Sequence, residues 1–238
     1  MMKAYMNWSG GKDSSLCLYR ILQQKQYNVD CLLTSVNATY NRISMHGVRR
    51  ELLEAQSHTL GINLTTIELP EQPSMQQYES ELLQKISSLK NTGYTHSIFG
   101  DIFLEDLRQY REQQLEQAGI TAVFPLWKVP TSQLMQEFLA AGFQAIVVCV
   151  NEQFLDKSFC GRLIDESFVH DLPANVDICG ENGEYHSYVF NGPVFKHPIH
   201  YSKGEIIYRR YDTPLSVSTD MDQPSQYGFY FCDLLPVG

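Results

Sequence analysis

The sequence predicts an α/β protein, with a Rossmann-like parallel sheet that carries helices on both faces and a smaller α+β domain after it. Short apolar segments alternate with amphipathic segments of helical length through the first half of the chain. A strand followed by one helix and another strand is typical of parallel pairing, because the crossover helix returns the chain to the same end of the sheet. The segments become shorter after residue 125, so we place the domain division there, giving 1–125 and 126–238.

The first domain is predicted from two kinds of apolar pattern. Apolar runs rich in β-branched residues predict strands, and apolar residues at intervals of three or four predict helices, as Leu18, Ile21 and Leu22 do for the first helix. Gly61 ends the second helix, and Pro70 follows the third strand. The predicted strands are 3–8, 29–36, 62–69, 95–100 and 120–124, and the predicted helices are 14–24, 48–60, 76–90 and 104–118.

The second domain shows a looser pattern. A helix is expected around 134–139 and a very apolar strand at 145–150, and a further helix at 159–169 is ended by Pro173. Short strands are then expected at 185–190, 205–211 and 228–232.

Composition excludes several classes of protein. The 238 residues are 43% hydrophobic and 19% charged, which is enough apolar content for a core. The net charge of −9 makes nucleic acid an unlikely partner in the absence of a local basic face, and it also disfavours anionic membranes. No apolar run has the length of about 18 residues that a membrane helix needs, so we expect a cytoplasmic protein. The six cysteines form no Cys-x-x-Cys pair, and we expect reduced thiols.

The strongest chemical signal lies between the first strand and the first helix. The segment there is Ser9-Gly10-Gly11-Lys12-Asp13-Ser14. Adjacent glycines allow close approach of backbone to a ligand, and the following helix offers free N–H groups and a positive dipole end. The lysine adds charge and the serines add hydroxyl groups, while Asp13 acts through magnesium or braces the loop. The segment predicts a phosphate site, with a plain glycine-rich turn as the alternative.

The segment differs from two better-known nucleotide loops. A Walker loop needs glycine where Met6 stands and Ser or Thr where Asp13 stands, and no Gly-x-Gly-x-x-Gly fingerprint is present.

A second polar segment, Gly180-Glu181-Asn182-Gly183-Glu184-Tyr185-His186, lies in the second domain. Asn-Gly is a hairpin-turn dipeptide, so we expect Glu181 and Glu184 at one hairpin tip. Two glutamates there can hold magnesium, bind an amine or act as a base, and an acidic surface hairpin is the alternative. Zinc is less well suited, because Cys179 and His186 are only a partial ligand set.

These motifs together resemble a known family. The segment 9–14 resembles the pyrophosphate loop of N-type ATP pyrophosphatases. With Phe99-Gly100-Asp101-Ile102, the segment 156–162 and Cys179–His186, the chain resembles the diphthine–ammonia ligase family up to about residue 190. The resemblance implies an adenine nucleotide alpha hydrolase-like fold, with ATP bound by 1–125 and substrate by 126–238.

The resemblance also implies residue roles. Catalysis is expected from Lys12, Asp13 and Asp101, with Asp13 as a magnesium ligand. ATP binding is expected from Ser9, Gly10, Gly11, Lys12, Asp13, Ser14, Thr34 and Ser35. Substrate binding is expected from His46, Glu105, Arg111, Glu181, Asn182, Glu184 and His186.

Several of these residues have ordinary structural alternatives. Thr34 and Ser35 stand near the end of a strand, where backbone groups either meet adenine or join the sheet ladder. Asp101 either reaches magnesium and substrate or caps the helix after it. His46 either faces the ligand or caps a helix. Glu105 and Arg111 are otherwise surface charges of that helix.

The implied reaction uses ATP, Mg²⁺, free ammonia and a carboxylate acceptor, and it releases AMP and pyrophosphate. In the resembled family the acceptor is diphthine, a modified histidine of translation elongation factor 2. Another small carboxylate or a tRNA-like acceptor is the alternative, and so is a protein that binds ATP without turnover.

Overall fold

The fold is described from a computed structural model, in which residues 1–44, 46–212 and 226–237 are described. Two sheets, one of them parallel at its centre and one antiparallel, account for the ten strands of these residues. In the same residues, no helix combines the length and apolar character that crossing a membrane would require.

The first sheet is built from alternating strands and helices, as the sequence predicts. Its strands are β1 (Met2–Asn7), β2 (Tyr27–Asn37), β3 (Arg42–Ile43), β4 (Asn63–Leu69), β5 (His96–Ile98) and β6 (Thr121–Val123). Its helices are α1 (Lys12–Gln24), α2 (Arg50–Leu60), α3 (Met75–Asn91) and α4 (Glu105–Gln117). The parallel strands lie in the order β4-β2-β1-β5-β6, which confirms the Rossmann-like prediction.

The strand order reverses between β1 and β5, and this reversal positions the site. The chain first builds outward from β1 to β2 and β4, and α3 then carries it back to β5 on the other side of β1. Loops that leave the carboxyl ends of two such strands diverge and leave a crevice, which is where ligands bind in open α/β sheets. The loop after β1 and the loop after β5 therefore flank this crevice.

The second sheet is antiparallel, in the order β8-β7-β10-β9. Its strands are β7 (Gln144–Asn151), β8 (Tyr185–Asn191), β9 (Tyr201–Asp212) and β10 (Gln226–Pro236), and its helices are α5 (Thr131–Ala140) and α6 (Glu166–Asp171). Strand β7 is apolar on both faces, since seven of its eight residues are buried. Residues from both faces of β7 belong to a core that also contains Met6, Leu18 and Leu52. Leu126, beside the predicted division, is fully buried in that shared core.

The elements differ from the sequence-based prediction in two places, where one predicted helix was wrong and one strand was missed. The helix expected at 159–169 is a short 3-10 turn at Lys157–Phe159 and the separate α6, because Gly161 adopts φ +83° and Leu163 bridges to β7. The short strand β3 was missed, because it pairs with only two residues at the end of β2.

Candidate active site

The segment after β1 forms a tight turn that leads directly into α1. Gly10 has φ +76°, and Gly11 is the residue before the first helical residue. The Ser14 hydroxyl donates to the Gly11 carbonyl at 2.9 Å and lies 3.2 Å from the Ser9 hydroxyl. Among the described residues, the backbone amides of Asp13 and Ser14 have no acceptor. This arrangement has the free N–H groups and helix dipole of an anion site.

The turn is held from behind by α2 and β8. The Gln56 side chain donates to the carbonyls of Gly10 (2.9 Å) and Val189 (2.7 Å), and it accepts from the Trp8 indole (2.9 Å). The Val189 amide also donates to the Gly10 carbonyl at 2.9 Å, and the Ser187 hydroxyl accepts from the Lys12 amide at 3.1 Å. Helix α2 and strand β8 of the second sheet therefore fix the position of the loop together.

Gly10→Ala is expected to lower the free energy of unfolding by about 1–3 kcal/mol, because a Cβ there is strained and meets Gln56. The added carbon would lie 2.6 Å from Gln56 Oε1, and Gln56 cannot move without breaking its buried hydrogen bonds. Gly142→Ala is the matched control, since Gly142 has φ +81° but no neighbour within 4 Å. Urea unfolding of both variants measures the difference, and equal losses would contradict the proposed contact.

Lys12 and Asp13 form an ion pair at the start of α1. Lys12 Nζ lies 2.7 Å from Asp13 Oδ2, with 5% of the Lys12 side chain and 30% of the Asp13 side chain exposed. Burial lowers the pKa of Lys12, but Asp13, Tyr185 and Cys179 together outweigh burial and keep that pKa above its ordinary value. The ammonium also lies 5.3 Å from the centre of the Tyr185 ring. Lys12 therefore remains charged inside a largely desolvated site.

Asp101 and Glu181 approach the loop from two different elements. Asp101 follows β5 and pairs with Arg111 of α4, at 2.8 Å between Oδ2 and Nε. Glu181, from the second domain, accepts from the Ile102 amide at 2.8 Å. Burial and then Asp13 raise the pKa of Glu181 and the Ile102 amide opposes the rise, so that the pKa is about 7. Burial also raises the pKa of Asp101, against the effect of Arg111. Carboxylates from three segments thus share one crevice.

The expected hairpin tip with Glu181 and Glu184 is not present. Residues 181–184 form a turn that enters β8, and Glu184 points inward with 1% exposure. Its carboxylate accepts from the amides of Asp177 and Asn182 at 2.9 Å and from the Asn182 side chain at 3.0 Å. Glu184 and Asn182 therefore brace the turn internally, and Glu181 alone of the two glutamates reaches the first domain.

His46 and His186 stack on each other beside the loop. Their ring centres are 4.5 Å apart and their planes differ by 28°, and His46 also approaches Gly11. Burial and Lys12 lower the pKa of His46 while a hydrogen bond with the Ser187 backbone opposes them, so that the pKa is about 4. The pKa of His186 is also well below its usual value, through burial, His46 and Lys12. Both imidazoles are therefore neutral near pH 7.

The remaining predicted residues have other partners. The Thr34 hydroxyl donates to the Trp8 carbonyl at 2.6 Å, and Ser35 pairs with Ile67 of β4. Glu105, which is 52% exposed, pairs with Lys128 at 2.7 Å. Asp101 does not cap α4, because that helix has no side-chain cap.

Magnesium fits this site as an ion bound jointly by the protein and by substrate phosphates, and not as an ion bound by protein side chains alone. In the ranges that the structure describes, no group of three Asp, Glu, His or Cys side chains is close enough to bind a metal. Magnesium commonly uses one or two carboxylates together with substrate phosphates and water, and the partly exposed Asp13 offers such an oxygen donor.

Sequence reasoning missed Gln56 and Ser187. Gln56 is fully buried on the apolar face of α2, four residues after Leu52. A polar residue at a core position is the signal that marks it, because buried amides need partners. Ser187 has no comparable signal, since its role depends on where β8 lies against the loop.

Two models of one known protein family match this chain. A family model for the diphthamide synthase N-terminal domain matches residues 2–122, and one for the diphthamide synthase C-terminal domain matches 130–217. The chain belongs to the diphthamide synthase family. This membership confirms the resemblance drawn from the motifs, and the matched residues include both the loop at 9–14 and the segment around Glu181.

Curated relatives include the diphthine–ammonia ligases of Bos taurus and Homo sapiens. The Bos taurus protein is 26% identical over 133 residues and the Homo sapiens protein is 24% identical over 133 residues. Each match covers 53% of this chain and 50% of the relative. The chain spans about half the length of the curated relatives it matches. Similar solved structures include a predicted tRNA methyltransferase subunit from Methanocaldococcus jannaschii (TM-score 0.40, 18% identity, 66% of this chain and 82% of that chain). Another is the U34-tRNA thiolase NcsA from Methanococcus maripaludis, which matches with a TM-score of 0.38 and 18% identity over 58% of this chain and 56% of that chain.

Proposed function

We propose that this diphthamide synthase family member is an ATP-dependent ligase that joins ammonia to a substrate carboxylate and releases AMP and pyrophosphate. The observation that carries the proposal is the hydrogen bond that the Ile102 amide donates to Glu181, since it brings the segment around Glu181 to the crevice beside the loop at 9–14. The curated relatives are named for diphthine and ammonia, and we propose diphthine as the acceptor and ammonia as the nitrogen donor.

In the first step, an oxygen of the acceptor carboxylate attacks the α phosphorus of ATP, and the bond from that phosphorus to the bridging oxygen breaks. Lys12 and the amides at the start of α1 stabilise the charge of the departing pyrophosphate. Asp13 would hold magnesium together with phosphate oxygens. When bound, the ion neutralises phosphate charge.

In the second step, ammonia attacks the acyl carbon of the adenylate, and AMP leaves. The nitrogen must lose a proton as the amide forms, so an acceptor has to lie in the crevice. Glu181 is the best candidate, because its carboxylate is held by the Ile102 amide on the side facing Asp13 and Asp101. His46 and His186, which are neutral, line the other side of the loop.

The acceptor is proposed to enter beside Asp101, between α3 and α4. A cavity of about 90 Å³ lies there, lined by Asn7, Tyr78, Tyr110, Arg111 and Gln114 among others. The Arg111 guanidinium stacks 4.4 Å from the centre of the Phe99 ring while it pairs with Asp101. A cation beside the crevice suits a substrate that carries a carboxylate.

Incubation with ATP, magnesium, ¹⁵N-ammonium and a protein that carries diphthine tests the proposal. We expect AMP and pyrophosphate in equal amounts and ¹⁵N in the acceptor by mass spectrometry. Glu181→Gln is expected to reduce ¹⁵N incorporation by about 10²-fold with unchanged ATP affinity, because only the proton acceptor is lost.

Glu116→Gln, on the exposed surface of α4, is the control and should match the wild type. ADP and phosphate as products would refute the ligase assignment. The absence of any product from bound ATP would favour a nucleotide-binding protein, and full activity of Glu181→Gln would remove that residue from the mechanism.

A further inference from the structure

Residues 42–44 and 46–49 form the His46 hairpin, a tight turn of the chain between β2 and α2. Arg42 and Arg49 lie opposite each other in an antiparallel bridge, and the Ile43 amide donates to the Val48 carbonyl at 2.8 Å. Side chains of directly opposite residues lie on the same face, and like charges placed there destabilise the pairing. The hairpin therefore contains two guanidinium groups that repel each other.

Asp233 of β10 accepts hydrogen bonds from both guanidinium groups. Arg42 Nη1 lies 2.8 Å from its carboxylate, and Arg49 binds it through Nε at 3.0 Å and Nη2 at 2.7 Å. Arg49 also stands immediately before α2, where the positive end of the helix dipole disfavours a cation. Asp233 thus offsets two repulsions that the hairpin would otherwise contain.

Strand β10 holds the hairpin at a second point, Gly47, which is the residue after His46. Arg42 Nη1 donates to the Gly47 carbonyl at 2.7 Å as well as to Asp233. A Cβ on Gly47 would lie 2.9 Å from the Phe231 ring, so the backbone of the hairpin is close to β10 at this point. The orientation of His46 therefore depends on β10.

His46 is the side chain that the hairpin presents to the loop at 9–14. Its Cε1 lies 3.4 Å from the position that a Cβ on Gly11 would take, and its ring stacks on His186. Its Nδ1 is buried and has no hydrogen-bond partner among the residues that the structure describes. Most buried polar atoms in proteins have a partner, so a nitrogen without one beside this loop indicates that a bound ligand supplies it.

We propose that Asp233 is a positioning residue for ATP binding, which holds the His46 hairpin in place so that His46 Nδ1 forms a hydrogen bond with the bound nucleotide. This inference rests on the ATP site of the proposed function, and it adds a residue of β10 to that site. Asp233 itself does not touch ATP. Without its carboxylate, repulsion between Arg42 and Arg49 moves the hairpin, and His46 leaves both Gly11 and the stack on His186.

Histidine-selective ¹³C NMR of the nucleotide-free 238-residue protein tests the positioning without any turnover. The ring of His186 should shift the His46 Hε1 signal away from its random-coil position, and His46→Ala identifies this signal by its loss. Asp233→Ala is expected to return the signal close to the random-coil position. A His46 signal that is the same in Asp233→Ala and in the wild type would overturn the proposal.

ATP calorimetry tests the effect on binding. His46→Ala is expected to weaken ATP binding by about ten-fold, the loss expected for one hydrogen bond, and Asp233→Ala by no more than that. The double variant should bind ATP as weakly as His46→Ala alone, because Asp233 acts only through His46. Losses that multiply in the double variant, or single variants with wild-type affinity, would contradict the proposed link between the two residues.

Glu137→Ala is the matched control for the loss of an ion pair. Glu137 of α5 accepts from Arg20 Nε at 2.9 Å, and this pair is about as shielded from solvent as the pair of Asp233 with Arg49. Glu137→Ala should be destabilised in urea and yet bind ATP as the wild type does, and an equal loss of affinity would assign the effect of Asp233 to general stability. A wild type that binds no ATP would refute the proposed function, whereas the NMR comparison still decides whether Asp233 positions His46.

Discussion

Lys12→Met is expected to reduce the formation of AMP and pyrophosphate by about 10³-fold, because it removes the buried positive charge beside the departing pyrophosphate. Lys12 is 4% exposed and is already paired with Asp13, so no reorganisation is needed to place its charge. Methionine keeps most of the length of the side chain and its contact with Tyr185. The loss is therefore one of charge and not of packing.

The rate is measured by chromatography of the nucleotides at saturating ATP, with ATP affinity measured separately by calorimetry. Lys25→Met, at the other end of α1, is the control, because Lys25 is exposed and lies at the helix C-terminus. Turnover by Lys12→Met at the wild-type rate would show that the ammonium does not take part in phosphate transfer.

Gln56→Leu is expected to lower the free energy of unfolding by about 3 kcal/mol, because leucine fills the volume but leaves buried polar groups without partners. The Trp8 indole loses its acceptor and the Val189 carbonyl loses the Gln56 amide. Gly10 retains the Val189 amide as a donor, so the loop stays close to β8 while it loses its tie to α2.

Urea unfolding measures this change, and ATP calorimetry should show weaker binding as well, since the loop is less well fixed. Gln23→Leu, on the exposed side of α1, is the control for a change from glutamine to leucine without buried partners. A loss below about 1 kcal/mol in Gln56→Leu would mean that water replaces the missing contacts.

The sequence predicted most of the first domain because its signals are local. Each parallel strand is a short apolar run and each helix has its own apolar stripe, so patterns within about 15 residues identify them. The strand–loop–helix context of Lys12 and Asp13 was predictable for the same reason. In the second domain the helix expected at 159–169 was wrong, since Gly161 and the bridge from Leu163 to β7 stop it.

Side-chain direction in the turn before β8 could not be predicted. Asn182-Gly183 suggested a hairpin with both glutamates at its tip, but the backbone amides of Asp177 and Asn182 need an acceptor and turn Glu184 inward. Glu181 is left to reach Ile102, a contact between segments that are far apart in the chain. Which carboxylate faces the crevice depends on how the segment before β8 packs against the end of β5.

From its residues alone, this chain specifies a glycine-rich loop between the first strand and helix, an α/β architecture and membership of a family, since each depends on neighbours along the chain. The other features of the site depend on how β8 packs against that loop. They are the hydrogen bonds of Gln56 and Ser187 with the loop, the stacked histidines and the proximity of Glu181 to Asp13 and Asp101. The reason is physical: pKa values and buried hydrogen bonds depend on groups brought close by folding, and no local pattern records those distances.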